Sequence, residues 1–212
     1  MKALQWDFSL KSVFWCTVVE ALLCVCPGAF LPEVCFYENG LVENLQLVVL
    51  ALGGWFCLKS GHHRSLFCVV GLVVLMLMLR EVNCGRTLFF AKPGEVNAFY
   101  KWGEIPYGWV VRLMYGVFIA GVSACFLCRR LYREVGVVLR SSGVPVWNAV
   151  FLLLSGCVAV CGERVLHSLP VEELSELVFY TSLTGMIYLY SRASCCGKSR
   201  GGEACVLSNA SA

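Results

Sequence analysis

Glutamate and histidine recur near the ends of the apolar segments of this chain, at spacings that match one side of a helix. Glu163 and His167 are four residues apart, so a helix would present both on the same face. A carboxyl group beside an imidazole is a pair that can donate and accept protons near neutral pH. We therefore predict Glu163 and His167 as candidate catalytic acid–base residues.

Two further rows of polar residues carry carboxyl groups along predicted helices. Glu172, Glu176 and Tyr180 follow one another at intervals of four residues. Glu43 and Gln46 are three residues apart, shortly after Glu38, near the start of another helix. The positive end of the helix dipole favours ionised carboxylates there. Carboxyl groups that crowd together acquire separated pKa values, which suits acid–base chemistry or the capture of a cation.

Basic side chains accompany these carboxyl groups at the ends of the apolar segments. Arg80 lies about one turn before the predicted end of the third segment, and Arg112 lies within about the first turn of the fourth. Ionisable groups at membrane depth are costly unless they face protein or water, so we expect one hydrated pocket that opens outward. The predicted ligand-binding residues are Glu38, Glu43, Gln46, Arg80, Glu81, Arg86, Lys101, Glu104, Arg112, Glu172, Glu176 and Tyr180.

Three functions fit this pattern. The first is binding or transport of a small polar, cationic or lipid-headgroup ligand. The second is an enzyme that acts on lipid or isoprenoid substrates at the membrane interface through Glu163 and His167. The third is a structural role in which the charges only pair helices. The sequence contains no GxSxG, P-loop or HExxH pattern. Whether the protein is an enzyme is therefore not decided by any recognised catalytic motif.

We expect no metal or other cofactor. Zinc sites favour His and Cys ligands, and His62 and His63 lie in a predicted loop on the opposite side of the membrane from His167. A hard divalent cation held by carboxylates is the alternative that this residue set leaves open.

Long apolar segments must position these residues. The chain is 58% hydrophobic and only 15% charged, a balance that excludes an ordinary soluble domain. A hydrocarbon core about 30 Å thick needs roughly 20 apolar residues per helix. Six segments qualify, at residues 12–31, 41–58, 65–84, 109–128, 144–162 and 174–190. We predict an all-α, polytopic membrane bundle of about six transmembrane helices over residues 1–191, with a flexible Cys/Gly/Ser-rich tail over residues 192–212.

The charges of the connecting segments alternate in sign. The N-terminus, residues 59–64, residues 129–140 and the tail contain eleven Lys or Arg and three acidic residues. The remaining connections and helix ends contain ten carboxylates and six basic residues. The positive-inside rule then predicts both termini in the cytoplasm, in an inner (plasma) membrane, with the acidic face outside. The basic segments are explained by this topology and by anionic lipid, so the expected partner is the bilayer and not nucleic acid.

Two features of the apolar segments leave alternatives open. The first segment follows Lys2 and Lys11 as a signal peptide would, although it contains Glu20 and lacks a small-residue cleavage site. We favour a protonated, hydrogen-bonded Glu20 over a proton-carrying site. Most of the fourteen cysteines lie in apolar segments as small hydrophobes. Cys35 and Cys84 lie near the acidic face, where a disulfide is an open alternative.

Four stretches taken together carry a resemblance. They read FYENGLVENLQ at residues 36–46, LREVNCGR at residues 79–86, FYKWGEIPYGW at residues 99–109 and HSLPVEELSE at residues 167–176. Over about residues 30–190 the chain resembles uncharacterised bacterial inner-membrane proteins of about six helices. The resemblance implies no activity, but it implies one functional surface composed of Glu38, Glu43, Arg80, Glu81, Arg86, Lys101, Glu104 and Arg112.

Overall fold

A computed structural model describes residues 5–28, 32–61, 63–94 and 98–196, which are mostly helical. The helices are α1 Ser12–Gly28, α2 Leu41–Lys59, α3 Arg64–Glu81, α4 Arg86–Phe89, α5 Gly108–Cys128, α6 Leu131–Ser142, α7 Val146–Cys161 and α8 Leu169–Cys196. Short 3-10 turns at Glu33–Phe36 and Asn83–Gly85 precede α2 and α4, and a π-helical turn at Gly162–Leu166 follows α7. The two-residue strands β1 Trp6–Asp7 and β2 Val144–Pro145 pair in parallel. The helical fold class is therefore confirmed for the described residues.

The central helix of the bundle is α8. It packs against α7, α2 and α1, while α3 lies against α2, and α5 lies against α3 and α6. A Cβ atom on Gly185 would lie 2.3 Å from Cγ1 of Val13, so only glycine lets α1 approach α8 this closely. The core between α2, α3 and α8 is formed by Leu50, Cys57, Phe67, Val74, Tyr180 and Ile187.

Three helical stretches of the described residues are long and apolar enough to cross a bilayer: Glu33–Lys59, Gly108–Cys128 and Val146–Leu166. A fourth results if α3 and the helical segment Asn83–Phe89, bent by 54°, are counted as one span. Two of the six predicted spans fall on helices outside this group. They are α1, whose apolar part Ser12–Leu23 is shorter, and α8, which is long but rich in hydroxyl side chains. Six crossings of a membrane therefore stay a prediction.

The basic connection at residues 129–140 contains a helix of its own, α6. Leu131 and Val138 are seven residues apart, so both fall on one face of this helix. That face is buried against Leu66 and Val69 of α3 and Val122 of α5. Its exposed side carries arginines, and a helix with this division of side chains suits the surface of a membrane.

The two ends of the bundle carry different charges. The indole Nε1 of Trp147 donates to the Phe8 carbonyl at 3.1 Å, and the Tyr190 hydroxyl donates to the Gly143 carbonyl at 3.2 Å. These bonds join the N-terminal segment, the start of α7 and the end of α8 at one end. We call it the basic end, because it carries Lys59, Arg64, Arg129, Arg130, Arg133, Arg140 and Arg192. The opposite, acidic end contains the starts of α2 and α8 and the end of α3.

Two predictions about the periphery have a structural outcome. Cys35 and Cys84 are both free thiols, so the disulfide is not formed. Helix α8 continues to Cys196, past the predicted start of the tail at residue 192. The remainder of that predicted tail, residues 197–212, lies outside the described residues, as does His62.

Candidate functional site

The structure brings nine polar side chains together at the acidic end, from α2, α3, α8 and the turns beside them. We call this group the carboxylate cluster. It consists of Glu38, Glu43, Gln46, Arg80, Glu81, Arg86, Glu173, Glu176 and Tyr180. Eight of the nine belong to the set predicted to bind a ligand, and that role stays a prediction.

Arg80 and Tyr180 join α3 to α8 within the cluster. The Arg80 guanidinium donates to the Glu176 carboxylate at 2.5 Å and to the Tyr180 hydroxyl oxygen at 3.3 Å. The Tyr180 hydroxyl in turn donates to the Glu81 carboxylate at 2.5 Å. Tyr180 is completely buried, so its phenol can keep a polar hydroxyl only because both neighbours satisfy it.

Gln46 joins α2 to the first turns of α8. Its amide Nε2 donates to the Glu173 backbone carbonyl at 2.9 Å and to the Glu173 carboxylate at 3.0 Å. The side chain is completely buried. Its carbonyl oxygen Oε1 has no hydrogen-bond partner among the described residues.

Glu43 occupies the first turn of α2, three residues after the N-cap Gly40. One carboxylate oxygen accepts a hydrogen bond from the backbone N–H of Asn39, the residue before the N-cap. The other oxygen, Oε1, is buried and has no partner within the described part of the chain. The positive end of the helix dipole favours a negative charge at this position.

A break in the helix after Glu81 positions Arg86. Asn83, Cys84 and Gly85 all have positive φ angles, and α4 leaves the direction of α3 at 54°. The break brings Arg86 to Glu38, with Nη2 and Oε1 separated by 3.4 Å. It also places the Thr87 carbonyl where the Asn39 side-chain amide donates to it at 2.8 Å. The turn before α2 and the turn after α3 are thereby joined.

Acidic side chains outnumber basic side chains in the carboxylate cluster. Five carboxyl groups face two guanidinium groups, and the carboxyl groups of Glu43, Glu81, Glu173 and Glu176 are close enough to interact electrostatically. Like charges that share a partly dry site repel one another strongly. An additional positive charge would therefore reduce the repulsion between the carboxyl groups of the cluster.

The other predicted site residues lie outside this network. Lys101 and Glu104 are exposed and joined locally, because the Lys101 backbone N–H donates to the Glu104 carboxylate at 2.8 Å. Arg112 is exposed on α5. Glu172 is half-buried and interacts electrostatically with Glu176, so it lies at the margin of the cluster.

The predicted acid–base pair loses the helical spacing on which it depended. Helix α7 ends at Cys161, Glu163 lies in the π-helical turn, and His167 has a φ of 49° in the left-handed region. The spacing of four residues therefore does not set both side chains on one α-helical face. Both residues are exposed, and their catalytic role stays a prediction that this geometry does not support.

Glu173 is the cluster residue that the sequence-based site set omits. It precedes Glu176 by three residues and Tyr180 by seven, so all three lie along one stripe of α8. This spacing is a recognisable signal, but the row through Glu172 at intervals of four is equally regular. Only the position of α2 beside the Glu173 stripe distinguishes the two rows.

A second polar layer lies deeper, between α1, α7 and α8. The Thr181 hydroxyl donates to the Glu20 carboxyl at 2.8 Å, and the second Glu20 oxygen is buried without a partner among the described residues. Ser182 and Asn148 are buried as well, and their hydroxyl and side-chain amide nitrogen are similarly unpartnered. Thr181 is five residues beyond Glu176, or about 7.5 Å along the helix.

Metal ligation is not prearranged in the described part of the chain. No group of three or more His, Cys, Asp or Glu side chains among these residues is placed to hold a metal ion. The cluster instead offers single oxygen atoms from different helices, namely Glu43 Oε1 and Gln46 Oε1. Such isolated acceptors suit N–H or O–H donors.

Comparison with known proteins gives no relative: no family model, no curated protein and no solved structure matches the chain. The resemblance to bacterial inner-membrane proteins therefore stays a prediction. Three of its four stretches, residues 36–46, 79–86 and 167–176, contribute side chains to the carboxylate cluster. The fourth, residues 99–109, lies outside the cluster network.

Proposed function

We propose that the chain is a polytopic inner-membrane protein that binds a small ammonium-type cation from the outer side, at the carboxylate cluster. One observation carries the proposal. Glu43 Oε1 and Gln46 Oε1 are buried acceptors without partners among the described residues, in a cluster where carboxyl groups outnumber guanidinium groups. Six crossings, with the basic end in the cytoplasm, would set this cluster at the outer boundary of the membrane.

The surface of α5 supports residence in a bilayer. Leu113, Met114 and Val117 are each more than half exposed, at 58%, 67% and 63%. The 21 residues of this helix rise by about 32 Å, close to the thickness of about 30 Å of a hydrocarbon core. Water would solvate such an apolar face poorly, whereas lipid tails would cover it without penalty.

The chemistry of the unpartnered atoms supports an ammonium group as the ligand. A buried acceptor without a partner costs about 1–3 kcal/mol. An ammonium group has three N–H donors, so it would satisfy Glu43 and Gln46 together and would add the missing positive charge. Arg86 Nε is a buried donor that also lacks a partner among the described residues. It would accommodate a ligand oxygen, as in an amino alcohol.

Exposure within the cluster decreases from its edge inward. The side chains of Arg80 and Glu38 are 52% and 35% exposed, whereas those of Glu81 and Glu176 are 7% and 12% exposed. Gln46 and Glu43 are the deepest acceptors. A surface excess of negative charge attracts a cation, and the buried oxygens would then hold it by direct hydrogen bonds.

The second polar layer favours transport as the step that follows binding. Glu20 of α1 supplies another carboxyl group, bonded to Thr181, which is about 7.5 Å further along α8 than Glu176; its second oxygen has no partner among the described residues. Ionisable residues within a membrane bundle commonly mark the path of an ion or a proton. A cation released from the cluster toward the basic end would encounter Glu20 next.

A purely structural role is the second candidate, favoured by the ion pairs Arg80–Glu176 and Arg86–Glu38, which join helices and turns. A structural role explains these pairs, but it does not explain why acceptor oxygens of Glu43 and Gln46 are buried without hydrogen-bond donors among the described residues. The enzyme hypothesis has less support, because Glu163 and His167 are exposed and outside the cluster.

The proposal is tested by measuring stability against ligand concentration. Purified protein in detergent is titrated with methylammonium, ethanolamine, sodium or magnesium chloride at constant ionic strength, and unfolding is followed on heating. A ligand present at 100 times its Kd stabilises the folded state by about 2.7 kcal/mol. We expect this response to methylammonium or ethanolamine in the wild type and its loss in Glu43→Gln and Gln46→Leu. Uptake of labelled methylammonium into proteoliposomes then tests transport.

Glu33→Gln is the matched control, since Glu33 is exposed at the same end and undergoes the same change of charge. This variant should respond as the wild type does. If the ammonium compounds stabilise no more than sodium does, or if Glu43→Gln and Gln46→Leu respond normally, the ligand assignment is wrong. A lower membrane abundance of these variants, with no ligand response in the wild type, would support the structural role instead.

A further inference from the structure

A second feature lies on the surface of the helix bundle between α2 and α3, toward the basic end. A cavity of about 690 Å³ opens there along both helices, and we call it the α2–α3 groove. Its volume lies in the range of about 300–1,000 Å³ that is typical of small-molecule sites. Most of its lining side chains are apolar, and none of them belongs to the carboxylate cluster.

Glycines shape this groove. Gly54 of α2 and Gly71 of α3 both line it. A Cβ atom on Gly71 would lie 3.5 Å from the Cys57 side chain, and one on Gly54 would lie 3.9 Å from Val74, so a small side chain would fit at either position. A larger one would have to project into the groove, because the helix backbones leave no other direction open.

The mouth of the groove is basic. Arg64 lines it at the first residue of α3. Lys59 ends α2 beside it and lies over the Trp55 ring at 4.8 Å from the centroid. Within the described part of the chain, no acidic side chain pairs with Arg64. A positive charge without an acidic partner among the described residues therefore lies at one end of the α2–α3 groove.

We propose that the α2–α3 groove binds one anionic phospholipid of the inner leaflet, with its phosphate at Arg64 and Lys59 and one acyl chain along Gly54 and Gly71. This inference rests on the proposed placement in the membrane. Arg64 and Met78, at the two ends of the lining on α3, are 14 residues apart. That is about 21 Å of helix, enough to follow a chain through one leaflet of about 15 Å.

Charge argues against a second copy of this protein as the occupant. Copies in one membrane share their orientation, so a two-fold axis along the membrane normal would bring Arg64 and Lys59 level with their own counterparts. Like charges at that distance repel. An anionic headgroup, in contrast, neutralises both residues.

Quenching of Trp55 fluorescence tests the proposal, because Trp55 lines the groove. The protein is reconstituted into vesicles that contain phosphatidylglycerol or phosphatidylcholine with brominated acyl chains. The Trp55 signal is the difference between the wild type and Trp55→Phe. We expect phosphatidylglycerol to quench the wild type more strongly than phosphatidylcholine does. Arg64→Gln should reduce this preference for phosphatidylglycerol about fivefold. Gly71→Leu should be quenched equally by both lipids.

Gly116→Leu is the control, since Gly116 of α5 has open surroundings and the substitution adds equal bulk on another helix. It should leave the preference unchanged. Equal quenching by both lipids would overturn the lipid site while membrane placement stands. No quenching by either lipid would refute the placement itself. If Gly71→Leu changes the oligomeric state and not the lipid preference, the occupant is a second copy and the proposal is wrong.

Discussion

The ion pair between Arg80 and Glu176 should be the interaction that most strongly joins α3 to α8. We consider the replacement Arg80→Met, which keeps much of the apolar stem and removes the guanidinium. Glu176 would then keep a buried carboxylate, 12% exposed, without its donor at 2.5 Å. Loss of one partner from a buried pair costs about 3–5 kcal/mol. Because the Arg80 side chain is 52% exposed, solvent screening places the expected loss at or below the lower limit, about 2–3 kcal/mol.

The double replacement Arg80→Met with Glu176→Met separates the pair from its environment. Both charges are then absent, so neither is left buried and uncompensated. We expect a loss of only about 1 kcal/mol, which is smaller than that of the single Arg80 variant. The second replacement would thus restore about 1–2 kcal/mol of the loss, and Glu176→Met alone completes the cycle from which the coupling between the two sites is calculated.

Thermal unfolding in detergent measures these differences. For a chain of 150–250 residues, 1 kcal/mol shifts the melting temperature by about 2–4 °C. Arg80→Met should therefore lower the Tm by about 4–12 °C, and the double variant should recover part of that loss. A single variant that melts within about 1 °C of the wild type, or losses that add without coupling, would refute the assignment of this pair as a joint between helices.

Three further changes have defined outcomes. Tyr180→Phe removes a buried hydroxyl that donates to a carboxylate, and chemical unfolding should reveal a loss of about 1.5–3 kcal/mol. Hydrogen bonds and the charge of Lys11 lower the pKa of Asp7 from 3.8 to about 2. The resulting stability is present above pH 4 and is lost as the pH falls through 2, and partial exposure limits it to less than about 1 kcal/mol. Asp7→Asn should remove this step from a pH titration of stability, whereas an unchanged step would assign it elsewhere. Gly185→Ala places a Cβ atom 2.3 Å from Val13 and should cost about 1–3 kcal/mol in the same unfolding assay, and an unaffected Tm would refute the close packing of α1 on α8.

Several elements of the site follow from helical spacing alone. Glu43 and Gln46 share a face of α2 because three residues nearly complete a turn, and the same relation links Glu173 with Glu176 on α8. The choice between neighbouring rows does not follow from spacing. The Glu172 row and the Glu173 stripe are both regular, and the rotation of α8 about its axis, set by packing against α7 and α2, brings Glu173 to Gln46.

Breaks in the helices explain the predictions that the geometry does not support. The spacing of Glu163 and His167 assumes an uninterrupted α-helix, and the π-helical turn ends that regularity at Cys161. A comparable break has the opposite effect at Asn83–Gly85, where it turns Arg86 back to Glu38. Left-handed residues at such positions depend on the surrounding structure, because non-glycine residues rarely adopt them by preference.

Composition and charge order by themselves predict that this chain is helical and apolar, with most carboxylates in one set of connecting segments and most basic residues in the other. These properties are local, since they depend on which residues follow one another within a few turns. The tertiary structure alone decides which carboxylates meet, because contact between α2, α3 and α8 joins residues about 100 positions apart, as in Arg80 with Glu176. It also decides which acceptors are left without donors, since the burial of Glu43 and Gln46 arises only when three helices close around them.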